Sequence, residues 1–447
     1  MTIPSPIRRL CHRLGIDRAI GFGLLSQGWT IALQPFNLFM LLTFLTQEEL
    51  GYFVTFSSIL SMQYYFDLGM GLAMQQSVSH ESAGLRWDNG FLSGDTTAKS
   101  RLASLWRLMV RWYAVMAAVF LVVFAVAGWF VFSSQGGRGW QYPWAWTVVA
   151  TVASFFTLPG LTIVRGTGQV AEAARFQLIQ AVVTNLVTWG ALACYFGLFS
   201  APLGNSFGLA VLALWLSLRW RPMFADLRRL PRDGPSVDWW REIWPFQWRI
   251  ALGWPFGFLV YQLFNPVLFR LRGPEEAGRM GISLSVCTVL VGVSMTWINT
   301  KLPMFGQFIA RREWDGLDAM FWTAFRRSTL IAVACGIAGW LIIAILQERF
   351  PRYGDRFLPL GWMALLIVNA VMTHVINSLS AYVRAHRQEP FLSSIIVMGI
   401  AMAVMTIACG SLWGYAGMTV GFLILNSLFM IRTAMIFRQF RLAWHAT

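Results

Sequence analysis

The sequence predicts an all-α integral membrane protein, with about twelve transmembrane helices in two pseudo-symmetric six-helix bundles. Three observations carry that prediction. Of 447 residues, 57% are hydrophobic and only 12% charged, where a soluble domain carries roughly 25% charge. The charge that is missing leaves long uncharged runs, such as 112–137 and 176–218, each able to cross a ~30 Å hydrocarbon core as a helix. The 23 tryptophans gather near run ends, Trp140, Trp144, Trp239 and Trp244 among them, as interfacial aromatic belts do.

The spans of the first half fall at 19–45, 50–76, 112–133, 143–164, 176–199 and 204–218. Those of the second fall at 250–269, 280–300, 328–347, 357–383, 390–410 and 413–431. The chain thus divides into an N-terminal six-helix bundle (1–220), a cytoplasmic or interfacial linker (221–247) and a C-terminal six-helix bundle (248–447). In the linker, Ser236 is placed to cap a short helix whose Trp239, Trp240, Ile243 and Trp244 share one face. A helix with Trp on one side and Arg on the other lies in the interface plane. The first apolar run follows a basic N-terminus, is longer than a signal-peptide core and has no small-residue cleavage site, so it is expected to be retained. Cys11, Cys194, Cys287, Cys335 and Cys409 are scattered without metal-ligand spacing and are expected to be small core residues. No metal and no cofactor are expected.

The net charge of +15 raises nucleic acid as a partner, but the basic residues lie in short loops between apolar runs. There they set topology and face anionic headgroups, so membrane lipids are the expected partner and nucleic acid is not. Only Arg138, Arg270, Arg272, Arg279, Arg349, Arg352 and Arg356 fall on the other side. The ratio of about four to one places both termini in the cytoplasm. It also supports an even number of spans. The outer loops are too short for an extracytoplasmic catalytic domain.

The halves repeat each other. Gln34-Pro35-Phe36-Asn37 returns as Gln262-Leu263-Phe264-Asn265, Glu48-Glu49-Leu50-Gly51 as Glu275-Glu276-Ala277-Gly278, and Val164-Arg165 as Val383-Arg384. The matches come in the same order and between equivalent spans. Six spans per half give both halves the same orientation, a parallel repeat that typically binds substrate between the halves and rocks one against the other.

The segment Glu48–Gln76, with Gly51-Tyr52-Phe53 and Asp67-Leu68-Gly69, resembles the opening of polysaccharide flippases of the O-antigen type. Their superfamily also holds the multidrug and toxin extruders and the lipid II flippases. A chain ending after the twelfth span fits the lipid II branch less well. The resemblance implies flipping of a lipid-linked oligosaccharide, an undecaprenyl-pyrophosphate-linked glycan, across the bacterial inner membrane. It also implies other polysaccharide-assembly proteins as partners. The physics agrees: unsatisfied sugar hydroxyls cost several kcal/mol each in hydrocarbon, and pyrophosphate suits the planar fork of Arg.

The substrate-binding candidates follow. Arg165 and Arg384 end equivalent spans, and Arg111 and Arg249 begin theirs from the basic side; each could grip phosphate or simply anchor in headgroups. Gln34 with Asn37, and Gln262 with Asn265, are spaced three apart on one helix face. They could meet sugar hydroxyls or glue helices together. Pro35 and Pro266 would bend the same two helices. Asp67 is the one clear carboxylate well inside a span, hence the ion-coupling candidate. His374 and Asn377, one turn apart, read as core or cavity-lining residues. A membrane glycosyltransferase or polymerase is not expected, since such chemistry needs positioned acids and bases. An ion-coupled drug or toxin extruder of the same superfamily is the alternative transporter.

Overall fold

The computed structural model describes residues 33–66, 70–88, 91–135, 139–230, 235–386 and 390–445. Among them, eight helices are long and apolar enough to cross a membrane, and a shorter apolar helix covers Leu33–Phe44. Each of the twelve expected spans has a helical counterpart among the described residues, the first only over 33–44, since 19–32 lie outside them. The eleventh and twelfth lie within Leu392–His445 as two helices that meet at Gly414, whose φ of 59° suits only glycine readily. Three are broken into shorter pieces, the fourth at 155–157. The second is interrupted at Ser61, between Gln47–Leu60 and Met62–Phe66, with Met70–Glu81 further along it, and the seventh runs as Trp244–Tyr261 and Phe264–Arg272. The single continuous helices expected at 50–76, 143–164 and 250–269 are corrected accordingly.

Several breaks share one cause. Proline has no N–H for the carbonyl four residues earlier and its ring crowds that carbonyl. Pro266 withdraws the partner of the Gln262 carbonyl, and the seventh span breaks at Gln262–Leu263. Pro159 stands in the same relation to Phe155, where Gln141–Ser154 gives way to Leu158–Gly166. Pro303 does so to Asn299, where Pro274–Asn299 gives way to Leu302–Arg311. Each proline restarts a helix in its first turn, the position it tolerates.

The stretches expected as basic loops between spans two and three, and eight and nine, are largely helix. Thr96–Phe132 has 37 residues and Trp314–Arg349 has 36, about 55 Å each at 1.5 Å per residue, well beyond a ~30 Å core. Before Thr96 lies a hairpin, Leu85–Asp88 paired antiparallel with Phe91–Gly94, with Asp88 opposite Phe91.

The described residues form two compact units. One holds 33–44, 63–130 and 139–254; the other holds 45–62, 131–135 and 255–445. In the first unit the linker is strapped to the basic end of the third helix. Lys99 pairs with Asp226 at 2.6 Å, and Arg101 with Glu81 at 2.9 Å and Glu242 at 2.5 Å. Arg107 donates to the Leu230 carbonyl at 3.2 Å, and the Val237 N–H donates to Ser104 Oγ at 3.0 Å. Asp238, not Ser236, caps the turn Trp239–Ile243, accepting from the N–H groups of Trp240 and Arg241. The four apolar residues expected on one face part company. Ile243 is buried and Trp239 stacks on Trp112 at 5.5 Å, while Trp240 is 67% exposed.

In the second unit the start of the second span crosses the eighth. A Cβ on Gly51 would lie 2.0 Å from the Pro274 carbonyl oxygen, and one on Gly278 would lie 3.1 Å from the Gly51 nitrogen. The repeated glycines therefore face each other at a crossing that only small residues allow. The repeated acids play a helix-end part on one side: Thr46 and Glu49 form a reciprocal capping box. Arg356, held below its ordinary pKa chiefly by burial, donates to the Leu45 carbonyl at 2.7 Å and fastens the same segment. Of the four described cysteines only Cys287 is buried; Cys194 and Cys335 are exposed, which corrects the expectation that they fill the core.

Candidate substrate cavity of the first unit

The fifth span, Val170–Ala193, places Gln177, Gln180, Ala181, Thr184 and Asn185 at spacings of three, four, seven and eight. That pattern puts them on one helix face. The sixth span fixes how that helix is turned. Gly204 and Gly208, four apart, approach it so closely that a Cβ on either would fall 2.0 Å from the Thr188 or Thr184 hydroxyl. Small residues at such spacing let two membrane helices come together.

Gln34 and Asn37 of the first span share a cavity of about 340 Å³ with Gln177, Gln180, Thr184 and Asn185. Asn37 Oδ1 accepts from Trp189 Nε1 at 3.2 Å, which orients its amide. Phe36 packs edge-on against the same indole at 4.6 Å. Arg165, half-buried in the last turn of Leu158–Gly166, donates from Nη2 to Gln177 Oε1. The lining offers amide and hydroxyl groups that both donate and accept, and no carboxylate stands among them. Such a wall presents hydrogen-bond donors and acceptors side by side, the chemistry that hydroxyl or amide groups pair with.

The other candidates are not gathered there. Asn265 is 8% exposed, and its Nδ2 donates to Ser58 Oγ at 2.8 Å. That bond joins the seventh span to the second, so Asn265 acts as interhelical glue and not as cavity lining. Gln262 sits half-buried at the break of the seventh span. Arg384 is exposed in the last turn of Leu360–Ala385, its guanidinium 5.8 Å from the Phe391 ring centre. Arg111 is exposed on the third helix, and Arg249 lies in Trp244–Tyr261. Asp67 lies outside the described residues. His374 is fully buried, with Nε2 at 3.2 Å from Ser328 Oγ and 3.4 Å from Thr329 Oγ1.

The polar stripe of the fifth span was not foreseen. Its residues lie in an uncharged run, and the signal that could have found them is their spacing on one face.

An inward-facing multidrug resistance MATE-family transporter of the MOP superfamily superposes on this chain with a TM-score of 0.66 over 95% of each chain, at 14% identity. The fold is that of the MATE transporters. An outward-facing transporter of the same family gives 0.58 at 15% identity, over 96% of this chain and 97% of its own. The MATE multidrug transporter DinF-BH gives 0.60 at 10% identity, over 94% of this chain and 95% of its own. No protein-family model matches the sequence, and no curated protein matches it. The expected fold class therefore stands: an all-α, multi-pass membrane protein of about twelve helices in two pseudo-symmetric bundles.

Proposed function

We propose that this chain is an alternating-access transporter that exports small amphiphilic molecules, as a multidrug extruder does. One observation carries the reading: the same fold, adopted by transporters in both inward-facing and outward-facing conformations, matches over 95% or more of this chain. Two states that open the site to opposite sides are what alternating access requires. The test is reconstitution of the full chain in proteoliposomes with an organic-cation dye, with and without imposed proton and sodium gradients. Gradient-dependent dye movement supports the reading. Its absence under all gradients contradicts it.

A second reading, flipping of a lipid-linked oligosaccharide, is favoured by one specific observation. Among the described residues the polar part of the cavity wall is amides and a hydroxyl without an acid, with Arg165 bonded to Gln177. That wall offers a cation carbonyl and hydroxyl oxygens but no carboxylate, whereas sugar hydroxyls find both donors and acceptors. On this reading Arg165 serves a pyrophosphate, the basic segments face the cytoplasm of a bacterial inner membrane, and polysaccharide-assembly proteins are partners. Movement of a fluorescent lipid-linked oligosaccharide between leaflets, without dye export, selects it.

A further inference from the structure

The first unit carries a second, larger hollow of about 420 Å³, and none of its residues lines the amide cavity. It runs between the third, fourth and sixth helices and the short helix Arg221–Arg229. Its floor is Gly160, where a Cβ would come within 3.3 Å of Phe224 and 3.4 Å of Leu216. The missing side chain deepens the groove. One wall is Trp106, stacked on Phe224 at 4.7 Å. The open side is bounded by Phe156, 60% exposed, and by the small Ala213.

The groove is chemically polarised. Along the sixth helix it extends from Leu209 to Ser217, about 12 Å at 1.5 Å per residue, and is apolar for most of that length. Its end at the basic side of the membrane carries Arg228, which is exposed. Asp226, the nearest described acid in sequence, is committed to Lys99 at 2.6 Å. Arg228 has no carboxylate partner among the described residues. Apolar length below a free guanidinium is the complement of an acyl chain below a phosphate. Basic pockets between membrane helices hold anionic headgroups in this way.

We propose that this groove is a binding site for one anionic phospholipid, its phosphate on Arg228 and one acyl chain lying over Gly160, Leu216 and Ala213. The lipid fills the hollow where the linker helix meets the membrane helices, so it ties the charged linker to the bilayer.

The experiment uses the full chain in phosphatidylcholine vesicles doped with an acyl-photoactivatable lipid, either phosphatidylglycerol or phosphatidylcholine. Cross-linked peptides covering 153–160 and 209–217 are quantified. The site predicts about fivefold more labelling by phosphatidylglycerol, the factor expected from one basic residue near the surface. In Arg228→Gln the ratio falls to about one. In Ala213→Trp, which fills the groove, labelling there drops with both lipids while other labelled peptides are unchanged. A monodisperse peak from each variant confirms that it folds. Equal labelling by the two lipids in the unmodified chain, or a ratio unaltered by Arg228→Gln, overturns the proposal.

Discussion

Two stretches with nearly the same letters have taken different work. In the first unit, Gln34 and Asn37 look into a hollow shared with the fifth span. In the second, Asn265 is buried and bonded to Ser58, and Gly281 packs so tightly that a Cβ would lie 3.1 Å from the Asn265 amide nitrogen. Among the described residues, then, Gln34 and Asn37 line a cavity, while the repeat-related Asn265 is buried in a contact between helices. Sequence symmetry locates equivalent positions; packing decides which of them a substrate can reach.

The same contrast holds for the paired glycines, and there the largest effect is expected. Gly51→Val drives a side chain into the Pro274 backbone, which cannot yield as a side-chain tip can. The cost should be about 3 kcal/mol, the upper part of the range for overpacking, read as a lowered unfolding midpoint in detergent. Gly278→Ala meets its neighbours only at 3.1 Å and beyond and should cost about 1 kcal/mol. Equal costs would deny that the crossing is lopsided.

Next come the amides. Asn265→Ala removes a buried hydrogen bond and should destabilise by about 1–2 kcal/mol. A double-mutant cycle with Ser58→Ala should return about 1 kcal/mol of coupling. Asn37→Ala, half-buried beside the cavity, should change stability by about 0.5 kcal/mol or less. Coupling near zero between Asn265 and Ser58 would remove the distinction on the second-unit side.

The smallest effect concerns the linker strap. The Asp238 N–H, 2.8 Å from Glu242 Oε1, and then Arg101 hold the Glu242 carboxyl below its ordinary value of 4.5. A depressed folded pKa contributes stability above the unfolded value and loses it as pH falls through the folded one. The Trp239–Trp112 stack should therefore loosen on the acid side of pH 4.5, followed by tryptophan fluorescence. Glu242→Gln should flatten that limb. The pair is part-exposed and screened, so the shift should be slight.

Much of the fold was legible in the sequence because charge is so costly in hydrocarbon that its gaps mark the spans. The break of the seventh helix was legible through Pro266, and the same reasoning applies to Pro159 and Pro303. The hairpin was missed although Asn89-Gly90, a strong two-residue turn signal, stands between alternating Leu85, Trp87 and Leu92. The long helices were missed because Arg101, Arg107 and Lys99 read as loop, when they lie in the early turns of Thr96–Phe132 and hold the linker. Of the candidate site, Gln34 and Asn37 were found through the repeat. Their partners Gln177, Gln180, Thr184 and Asn185 have no repeat and no charge to announce them; only a helical face does. Nor could spacing reveal that Asn265 would be spent on Ser58, since that contact joins residues 207 positions apart.

We propose that the first-unit cavity meets the substrate and that the repeat-related Asn265 does not. The direct measurement is transport kinetics in proteoliposomes, for whichever cargo moves, comparing Asn37→Leu and Gln180→Leu with Asn265→Leu. KM should rise about tenfold in each of the first two, as loss of roughly 1.4 kcal/mol of binding requires, with unfolding midpoints nearly unchanged. Asn265→Leu should lower the midpoint and leave KM alone. An unchanged KM in both cavity variants, together with a raised KM in Asn265→Leu, would contradict it.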